Sequence, residues 1–229
     1  MKPRIAIIGG GPAGLAAAEA VAGPDVSVDL FEAKPSLGRK FLMAGKSGLN
    51  LTHAEPFDAF LTRYGAALPA LEQALRTFPP DAIREWADGL GVETFTGSSG
   101  RVFPKEMKAA PLLRAWIRRL KAAGVSVHVR HRWQGWDENG RLRFETPEGG
   151  KALAFDATVL ALGGASWPEL GSDAAWVPWL RDAGVRVAPF RPANCGFDCA
   201  WSPLMQERFA GEPVKSVRLS HGGQDIAGD

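Results

Sequence analysis

The first 32 residues alternate apolar runs with an alanine-rich segment. Residues 4–8, RIAII, form a continuous β-branched run that ends at Gly9, as expected of a strand buried on both faces of a parallel sheet. The segment PAGLAAAEAVAG predicts a helix that begins near Pro12 and stops at Gly23. Because VSVDLFE follows as a second strand, the pattern indicates a βαβ unit and an α/β fold.

Helical and extended patterns continue over most of the chain. Residues 56–90 and the segment APLLRAWIRRLKAAG predict helices, and DAAWVPWLRDAG predicts a helix interrupted or kinked at Pro178. Strands are predicted for GRVFP, VSVHVRHRW, the hairpin RLRFETPEGGKALAF and the buried parallel strand ATVLALGG. Residues 34–53 predict a long polar loop, and loops of that length are usually functional or disordered.

The pattern changes after Pro189, where PFRPANCGFDCAW is irregular and VKSVRLSHGGQDIAG predicts a hairpin. We therefore predict two domains. The first, over residues 1–189, is an α/β, Rossmann-like domain with a parallel sheet and a β-meander. The second, over residues 190–229, is the start of a β-rich domain.

The composition limits the kinds of binding partner and the cellular compartments that the sequence predicts. The net charge of +2 over 229 residues gives no electrostatic reason to expect nucleic acid or a membrane surface as a partner. The two cysteines, Cys195 and Cys199, are too few for a disulfide framework and are interpreted as ordinary thiols in a reducing compartment. Without an apolar run of spanning length or a leader pattern, the sequence predicts a cytoplasmic protein.

The histidines do not indicate a metal site, because their spacing fits no metal-binding motif. His128 and His131 lie three residues apart on a predicted strand, which would place them on opposite faces of the sheet.

Gly9, Gly11 and Gly14 fit the G-x-G-x-x-G pattern between a strand and a helix, which is the context that a dinucleotide-binding loop requires. Gly9 permits the tight turn, Gly11 allows close approach of a pyrophosphate, and Gly14 allows the helix to pack against the sheet. Phosphates would then lie at the helix N-terminus. The alternative is a glycine-rich turn that binds nothing.

Glu32 ends the second strand, with seventeen residues between it and Gly14. An acid at that distance can accept hydrogen bonds from ribose hydroxyls and would repel a 2′-phosphate, which argues against NADP at this site. The alternative is a solvated carboxylate. The glycine pattern and Glu32 do not distinguish an NAD-binding site from an FAD-binding site.

The segment that follows Glu32 carries a family resemblance. It is basic and glycine-bearing, unlike the short second connection usual in an NAD-binding domain. The chain is similar to flavoproteins of the two-dinucleotide-binding-domain superfamily, described as aminoacetone-oxidase-like or NAD(P)/FAD-dependent oxidoreductases, some linked to bile-acid reduction. The motifs that match in order are IAIIGGGPAGLAAA, GRKFLMAGKSGLNLTH, GRVFPKEMKAAPLL, LALGGASWPELGSD and RPANCGFD.

The resemblance implies FAD as the cofactor, with adenine near the backbone of Arg132 and Trp133. It also implies that Arg39 and Lys40 lie close to the cofactor, although a solvated basic loop is the alternative there. The complete implied FAD site is Gly9, Gly11, Pro12, Ala13, Gly14, Glu32, Ala33, Arg39, Lys40, Asn50, Thr52, Arg132, Trp133, Ala161, Gly163 and Gly164.

Two segments depart from the family pattern near the implied flavin ring. Many relatives have SGGGRCNxTN where this chain has AGKSGLNLTH, so Lys46 is a candidate to replace the missing arginine. Relatives often have GSTGDGY where this chain has GSDAAWV. His53 is the candidate for proton transfer, and Trp167 the candidate to lie beside the ring.

Two functions stay open at this point. The first is an FAD-dependent oxidoreductase that acts on a small molecule, with NAD(P)H as a possible donor. The second is a non-catalytic or truncated dinucleotide-binding module for ADP, FAD or NAD. Since relatives continue into a second domain and a returning glycine-rich segment, we expect this chain to be C-terminally truncated.

Overall fold

A computed structural model describes residues 1–44, 48–192, 196, 198–212 and 217–228. It divides into two units, Met1–Phe190 and Arg191–Asp229, which are described separately. Within the described residues, no helix combines the length and the apolar character needed to cross a membrane.

The first unit contains most of the regular structure. In chain order its elements are β1 (Arg4–Ile8), α1 (Pro12–Val21), β2 (Ser27–Glu32), α2 (Arg39–Ala44), β3 (Thr52–His53), α3 (Phe57–Thr62), α4 (Leu68–Thr77), α5 (Pro80–Gly89), β4 (Thr94–Thr96), β5 (Arg101–Pro104), α6 (Ala109–Ala122), β6 (Ser126–Val129), β7 (Arg132–Trp136), β8 (Leu142–Thr146), β9 (Gly149–Leu153), β10 (Ala157–Leu160) and α7 (Val177–Asp182).

A four-stranded parallel sheet in the order β10-β1-β2-β6 forms the centre of this unit. Ile7 of β1 lies between Leu30 of β2 and Val159 of β10. On one face of the sheet, Ile7 and Leu30 join a core cluster with Leu15 of α1 and Leu113 of α6, because the apolar sides of both helices face the strands. The predicted α/β, Rossmann-like parallel sheet is therefore confirmed.

The meander β7-β8-β9 contributes to the second core cluster. Ile8 and Phe31 of the parallel sheet belong to it together with Trp133 of β7 and Phe144 of β8. Phe31 stacks on Phe144 with 4.3 Å between ring centroids. The parallel sheet is thus packed between helices and a meander, and the predicted meander is present. A third sheet, in the order β3-β5-β4, completes the unit.

The segment VSVHVRHRW, predicted as one strand, forms two strands in different sheets. Arg130 adopts a left-handed φ of 57° between β6 and β7 and ends the alternation of side chains there. His128 and His131 consequently lie with ring centroids 5.5 Å apart, and both rings lie beside Phe31. The prediction that they face opposite sides was wrong, because it assumed an unbroken strand.

Three further elements differ from the predicted pattern. β10 is an edge strand among the described residues, not a buried one, and Leu160 is 37% exposed. α7 begins at Val177, so that Pro178 lies in its first turn, where proline is tolerated, and causes no kink. Residues 39–44 of the predicted loop form helix α2.

The second unit contains helix α8 (Pro203–Phe209) and the hairpin of β11 (Val217–His221) and β12 (Gln224–Gly228). Ser202 caps α8 by accepting a hydrogen bond from the Met205 N–H at 3.4 Å. Gly222 and Gly223 form the hairpin turn with φ of 57° and 78°, values that favour glycine. The predicted hairpin is present.

Candidate functional site

A cavity of about 420 Å³ lies in the first unit, at the carboxyl ends of β1, β2 and β10. In open parallel sheets, ligands bind at this edge. Twelve residues of the predicted site line the cavity. They are Gly9, Gly11, Pro12, Glu32, Ala33, Arg39, Lys40, Arg132, Trp133, Ala161, Gly163 and Gly164.

The glycine loop between β1 and α1 forms the base of the cavity, and each glycine has a different environment. A Cβ on Gly9 (φ +113°) would lie 2.1 Å from the carbonyl oxygen of Ala161, and a Cβ on Gly14 would lie 1.7 Å from that of Gly9. These two glycines are required by the protein's own packing. A Cβ on Gly11, in contrast, would meet no atom within 4 Å. The space beside Gly11 is therefore open, in a cavity wall where the pattern predicts close approach of a ligand.

The N-terminus of α1 opens into the same space. Gly11 is its N-cap and supplies no side-chain cap, Pro12 stands in the first turn, and the first turn contains no acidic residue. The first N–H groups of a helix have no intrahelical acceptor and lie at the positive end of the helix dipole. Ala13 and Gly14 do not line the cavity, and Gly14 is buried beneath the loop. The arrangement suits an anion that spans the loop and the helix end.

Glu32 connects the end of β2 to the glycine loop. Its Oε2 accepts a hydrogen bond from the Gly10 N–H at 2.9 Å, and its Oε1 accepts one from the Lys34 N–H at 2.7 Å. The side chain also lines the cavity. Because each carboxylate oxygen can accept more than one hydrogen bond, Glu32 can hold the loop and still receive donors from a ligand.

Helix α2 forms a wall of the cavity next to the glycine loop. The Gly38 N–H donates to the Gly10 carbonyl oxygen at 2.9 Å, so the start of α2 is fixed to the loop. The Lys40 ammonium donates to Ser166 Oγ at 2.5 Å, and the Arg39 guanidinium donates to Ser36 Oγ at 3.2 Å. α2 thereby places two cations along the cavity.

The sequence analysis did not name the residues of the remaining wall, although the resemblance placed the segment GSDAAWV near the implied flavin ring. The cavity-lining residues that were not predicted are Gly38, Phe41, Ala44, Leu162, Leu170, Gly171, Ser172, Asp173, Ala175, Trp176 and Trp179. Asp173 accepts a hydrogen bond from Arg132 at 3.4 Å, which ties the segment after β10 to the start of β7. The available signal was that this segment follows β10 and the glycines Gly163 and Gly164, at the carboxyl edge of the sheet.

Three cavity-lining side chains have a buried N–H group without an acceptor among the described residues. The atoms are Arg39 Nε, Trp133 Nε1 and Trp176 Nε1. Buried donors are nearly always paired in folded proteins, with protein, water or ligand. Each of these three atoms is itself buried in the wall, behind the surface that a ligand in the cavity would touch.

Asn50, Thr52 and His53 do not line the cavity. Asn50 is exposed and Thr52 is buried. The His53 ring lies at a second cavity of about 350 Å³ with Glu55, and its Nε2 donates to the carbonyl oxygen of Ser99 at 3.0 Å. A hydrogen bond from Arg63 lowers the pKa of the Glu55 carboxyl. The position of His53 gives no support for a catalytic role.

Other candidates from the sequence lie elsewhere. Trp167 is 41% exposed, pairs with Ser172 through its backbone and does not line the cavity. Lys46 and Cys195 lie outside the described residues. No cluster of metal-ligating side chains occurs in the part of the chain that the structure describes.

Comparison with known proteins identifies the family. The family model described as "HI0933-like protein Rossmann domain" matches residues 3–227, almost the whole chain. The chain belongs to this family. The match confirms the resemblance predicted from the motifs, and it agrees with the parallel sheet and glycine loop described above.

Within similar proteins, a 3-dehydro-bile acid Δ(4,6)-reductase of Clostridium scindens is 31% identical over 193 residues, which cover 83% of this chain and 46% of that protein. The chain thus spans about half the length of this relative. The crystal structure of THI4 from Thermovibrio ammonificans is similar in fold, with a TM-score of 0.52 and 20% identity over 80% of this chain and 64% of THI4.

Proposed function

We propose that this chain is the dinucleotide-binding part of an FAD-dependent oxidoreductase that acts on a small molecule. One observation carries the proposal. The space beside Gly11 is open at the N-terminus of α1, inside a cavity that also contains Glu32 and the cations of α2. The residues present fit an elongated, acceptor-rich anion with a ribose.

The glycine loop would hold the pyrophosphate of the cofactor. Gly11 lets the phosphates approach the backbone, and the uncapped first turn of α1 supplies N–H donors and the positive end of the helix dipole. Gly9 and Gly14 act indirectly, because they set the distance between the loop, β10 and the helix. Arg39 and Lys40 add positive charge in the wall that α2 forms.

Glu32 would accept hydrogen bonds from the adenosine ribose. Its two bonds from backbone N–H groups orient the carboxylate before the ligand binds. A carboxylate at this place repels a 2′-phosphate, so NADPH is not expected to occupy this cavity. NADH or NADPH as an electron donor would have to bind elsewhere.

FAD is favoured over NAD because the residues that follow Glu32 form helix α2 on the cavity wall instead of a short connection to the next strand. Bound FAD would supply the transfer of hydride or electrons, and the protein would bind, orient and shield it. The bile acid reductase is similar in sequence and, by its name, an oxidoreductase, which supports a reaction of this class here. A reducing, cytoplasmic location is part of the proposal and rests on the two cysteines.

The proposal is tested by the ligand that the purified chain releases on denaturation. We expect FAD, and we expect a yellow protein that bleaches with dithionite, or with NADH or NADPH if a donor site is present. Colourless protein that binds ADP would support the alternative, a nucleotide-binding module without redox activity. Protein that binds neither FAD nor ADP would contradict both.

A further inference from the structure

One hydroxyl group in the wall of the first cavity has no role in the fold. Ser172 is only 7% exposed and lines the cavity. Its backbone N–H and carbonyl oxygen both pair with Trp167, each at 3.1 Å. Its Oγ has no hydrogen-bond partner among the described residues, and unlike Trp133 Nε1 and Trp176 Nε1 it is not closed off from solvent. The residue is thus held in the wall while its hydroxyl stays open to the cavity.

The hydroxyl lies beside the glycines that follow β10. A Cβ on Gly163 would lie 3.9 Å from Ser172 Oγ, and a Cβ on Gly164 would lie 4.0 Å from it. The strand that leads to these glycines pairs with β1, and the Ala161 carbonyl oxygen lies against Gly9 of the glycine loop. The hydroxyl and the glycine loop are therefore at the same edge of the sheet.

The segment that contains Ser172 crosses this edge. On the far side, Asp173 is bonded to Arg132 at the start of β7, and the His131 N–H donates to the Glu32 carbonyl oxygen at the end of β2. Because β1 lies between β10 and β2 in the sheet, the segment passes the end of β1, which the glycine loop follows directly. Ser172 lies between the two attachments of the segment, at the β10 side and at the β2 side.

We propose that the Ser172 hydroxyl donates a hydrogen bond to a phosphate oxygen of the bound dinucleotide and so adds a second contact to the phosphate site. This inference rests on the proposed function, which assigns the phosphates to the glycine loop and gives Ser172 no role. A serine hydroxyl carries one donor, and ionised phosphate oxygens only accept. Hydrogen bonds to an ionised acceptor are the stronger kind. In this chain the hydroxyl gives up no other partner among the described residues when it binds.

The test is Ser172→Ala, studied by calorimetric titration and thermal unfolding. Since the hydroxyl has no described partner in the ligand-free chain, the thermal midpoint without ligand should stay within about 2 °C of the parent's. The affinities for ADP and for FAD should both fall by about tenfold, because both ligands carry the diphosphate. Parental ADP affinity in this variant would overturn the inference. A loss for FAD without a loss for ADP would also overturn it, since the contact would then lie beyond the diphosphate.

Thr146→Val is the matched control, because it removes a buried hydroxyl that does have partners. Thr146 of β8 is 8% exposed and does not line the cavity. Its Oγ1 donates to the Gly149 carbonyl oxygen at 2.8 Å and accepts from the Glu148 N–H at 3.3 Å. This variant should show a lower thermal midpoint and the ADP affinity of the parent. An equal loss of ADP affinity in both variants would overturn the inference, since the loss would then not depend on the cavity.

Phosphorus NMR of bound ADP locates the contact. The phosphorus signals of ADP should differ between the parent and Ser172→Ala, while the proton signals of adenine and ribose stay in place. Unchanged phosphorus signals in ADP-saturated protein would overturn the inference and leave the proposed function intact. A parent chain that binds neither ADP nor FAD would overturn both.

Discussion

Gly11 is the position at which a substitution separates binding of a ligand from stability of the fold. Gly11→Val adds a branched side chain at the N-cap of α1. The backbone there has φ −81° and ψ −177°, which any L-residue adopts, and a Cβ meets no atom within 4 Å. Valine is a poorer N-cap than glycine, so we expect the free energy of unfolding to fall by about 1 kcal/mol, a loss that a fold of ordinary stability survives. The folded chain should therefore tolerate the change.

Ligand binding, in contrast, should be strongly weakened by Gly11→Val. The pyrophosphate is expected to approach the Gly11 backbone directly, and three added carbon atoms fill that space. We expect the affinity for ADP and FAD to fall by about a hundredfold or more, which corresponds to a loss of about 2.7 kcal/mol of binding free energy. Calorimetric titration measures the affinity, and urea unfolding measures the stability of the same samples.

Gly23→Val is the matched control, at the other end of α1. A Cβ at Gly23 also meets no atom within 4 Å, and Gly23 does not line the cavity. This variant should bind ADP like the parent. Gly14→Val, in contrast, should fail to fold, because its Cβ would lie 1.7 Å from the Gly9 carbonyl oxygen. Parental ADP affinity in Gly11→Val would refute the assignment of the phosphate site, and unfolding of that variant would refute the packing argument.

Three further outcomes are expected. Glu32→Ala should weaken ADP binding by about tenfold or more, since hydrogen bonds to a charged acceptor contribute about 1.5–3 kcal/mol each. Glu32→Gln should lose less affinity, and an affinity of Glu32→Ala equal to that of the parent would contradict the ribose assignment. Glu19 accepts hydrogen bonds from the indoles of Trp86 (3.0 Å) and Trp116 (2.7 Å) and from Arg119 (2.7 Å), so Glu19→Ala should lower the free energy of unfolding by about 2–4 kcal/mol in urea titrations while ADP affinity stays unchanged. Arg63→Gln should reduce stability near neutral pH and lose this effect in acid; a pH-independent difference would contradict the pairing with Glu55.

The sign of the acid effect follows from the direction of the pKa shift. The hydrogen bond from Arg63 lowers the pKa of Glu55 in the folded chain. The pair therefore stabilises the fold above the unfolded-chain pKa of about 4.3, and that contribution is lost as the pH falls through the lowered folded value. Both side chains of the pair are solvent-accessible to some degree, so the contribution is expected to be small.

The sequence alone determined the features that depend on neighbouring residues. The run RIAII, the alanine-rich segment after it and the glycines between them report a buried strand, a helix and a tight turn, because backbone preferences and hydrophobic period are local properties. Strand β2 and the acidic residue at its end, Glu32, were likewise predicted from the local pattern. Strand, loop and helix together were enough to predict a phosphate-binding turn before any contact was known.

The tertiary structure determined the features that a local sequence pattern does not encode. Arg130 breaks an apparently continuous strand because its two halves pair with different sheets, β6 with β2 and β7 with β8. The place of His53 in the sequence made it a candidate for proton transfer, but the β3-β5-β4 sheet holds it at another cavity.

The cavity wall from Leu170 to Trp179 was hidden for the same reason. Its residues are far in sequence from the glycine loop, and although the family motif LALGGASWPELGSD includes the first of them, no local chemical pattern marks them as ligand-binding. The parallel strands bring their carboxyl ends to one edge, and only that arrangement places Trp133 and Trp176 in the wall of the same cavity as Glu32. Whether a buried polar group is paired depends on all the elements packed around it, and that is a property of the folded chain and not of any segment.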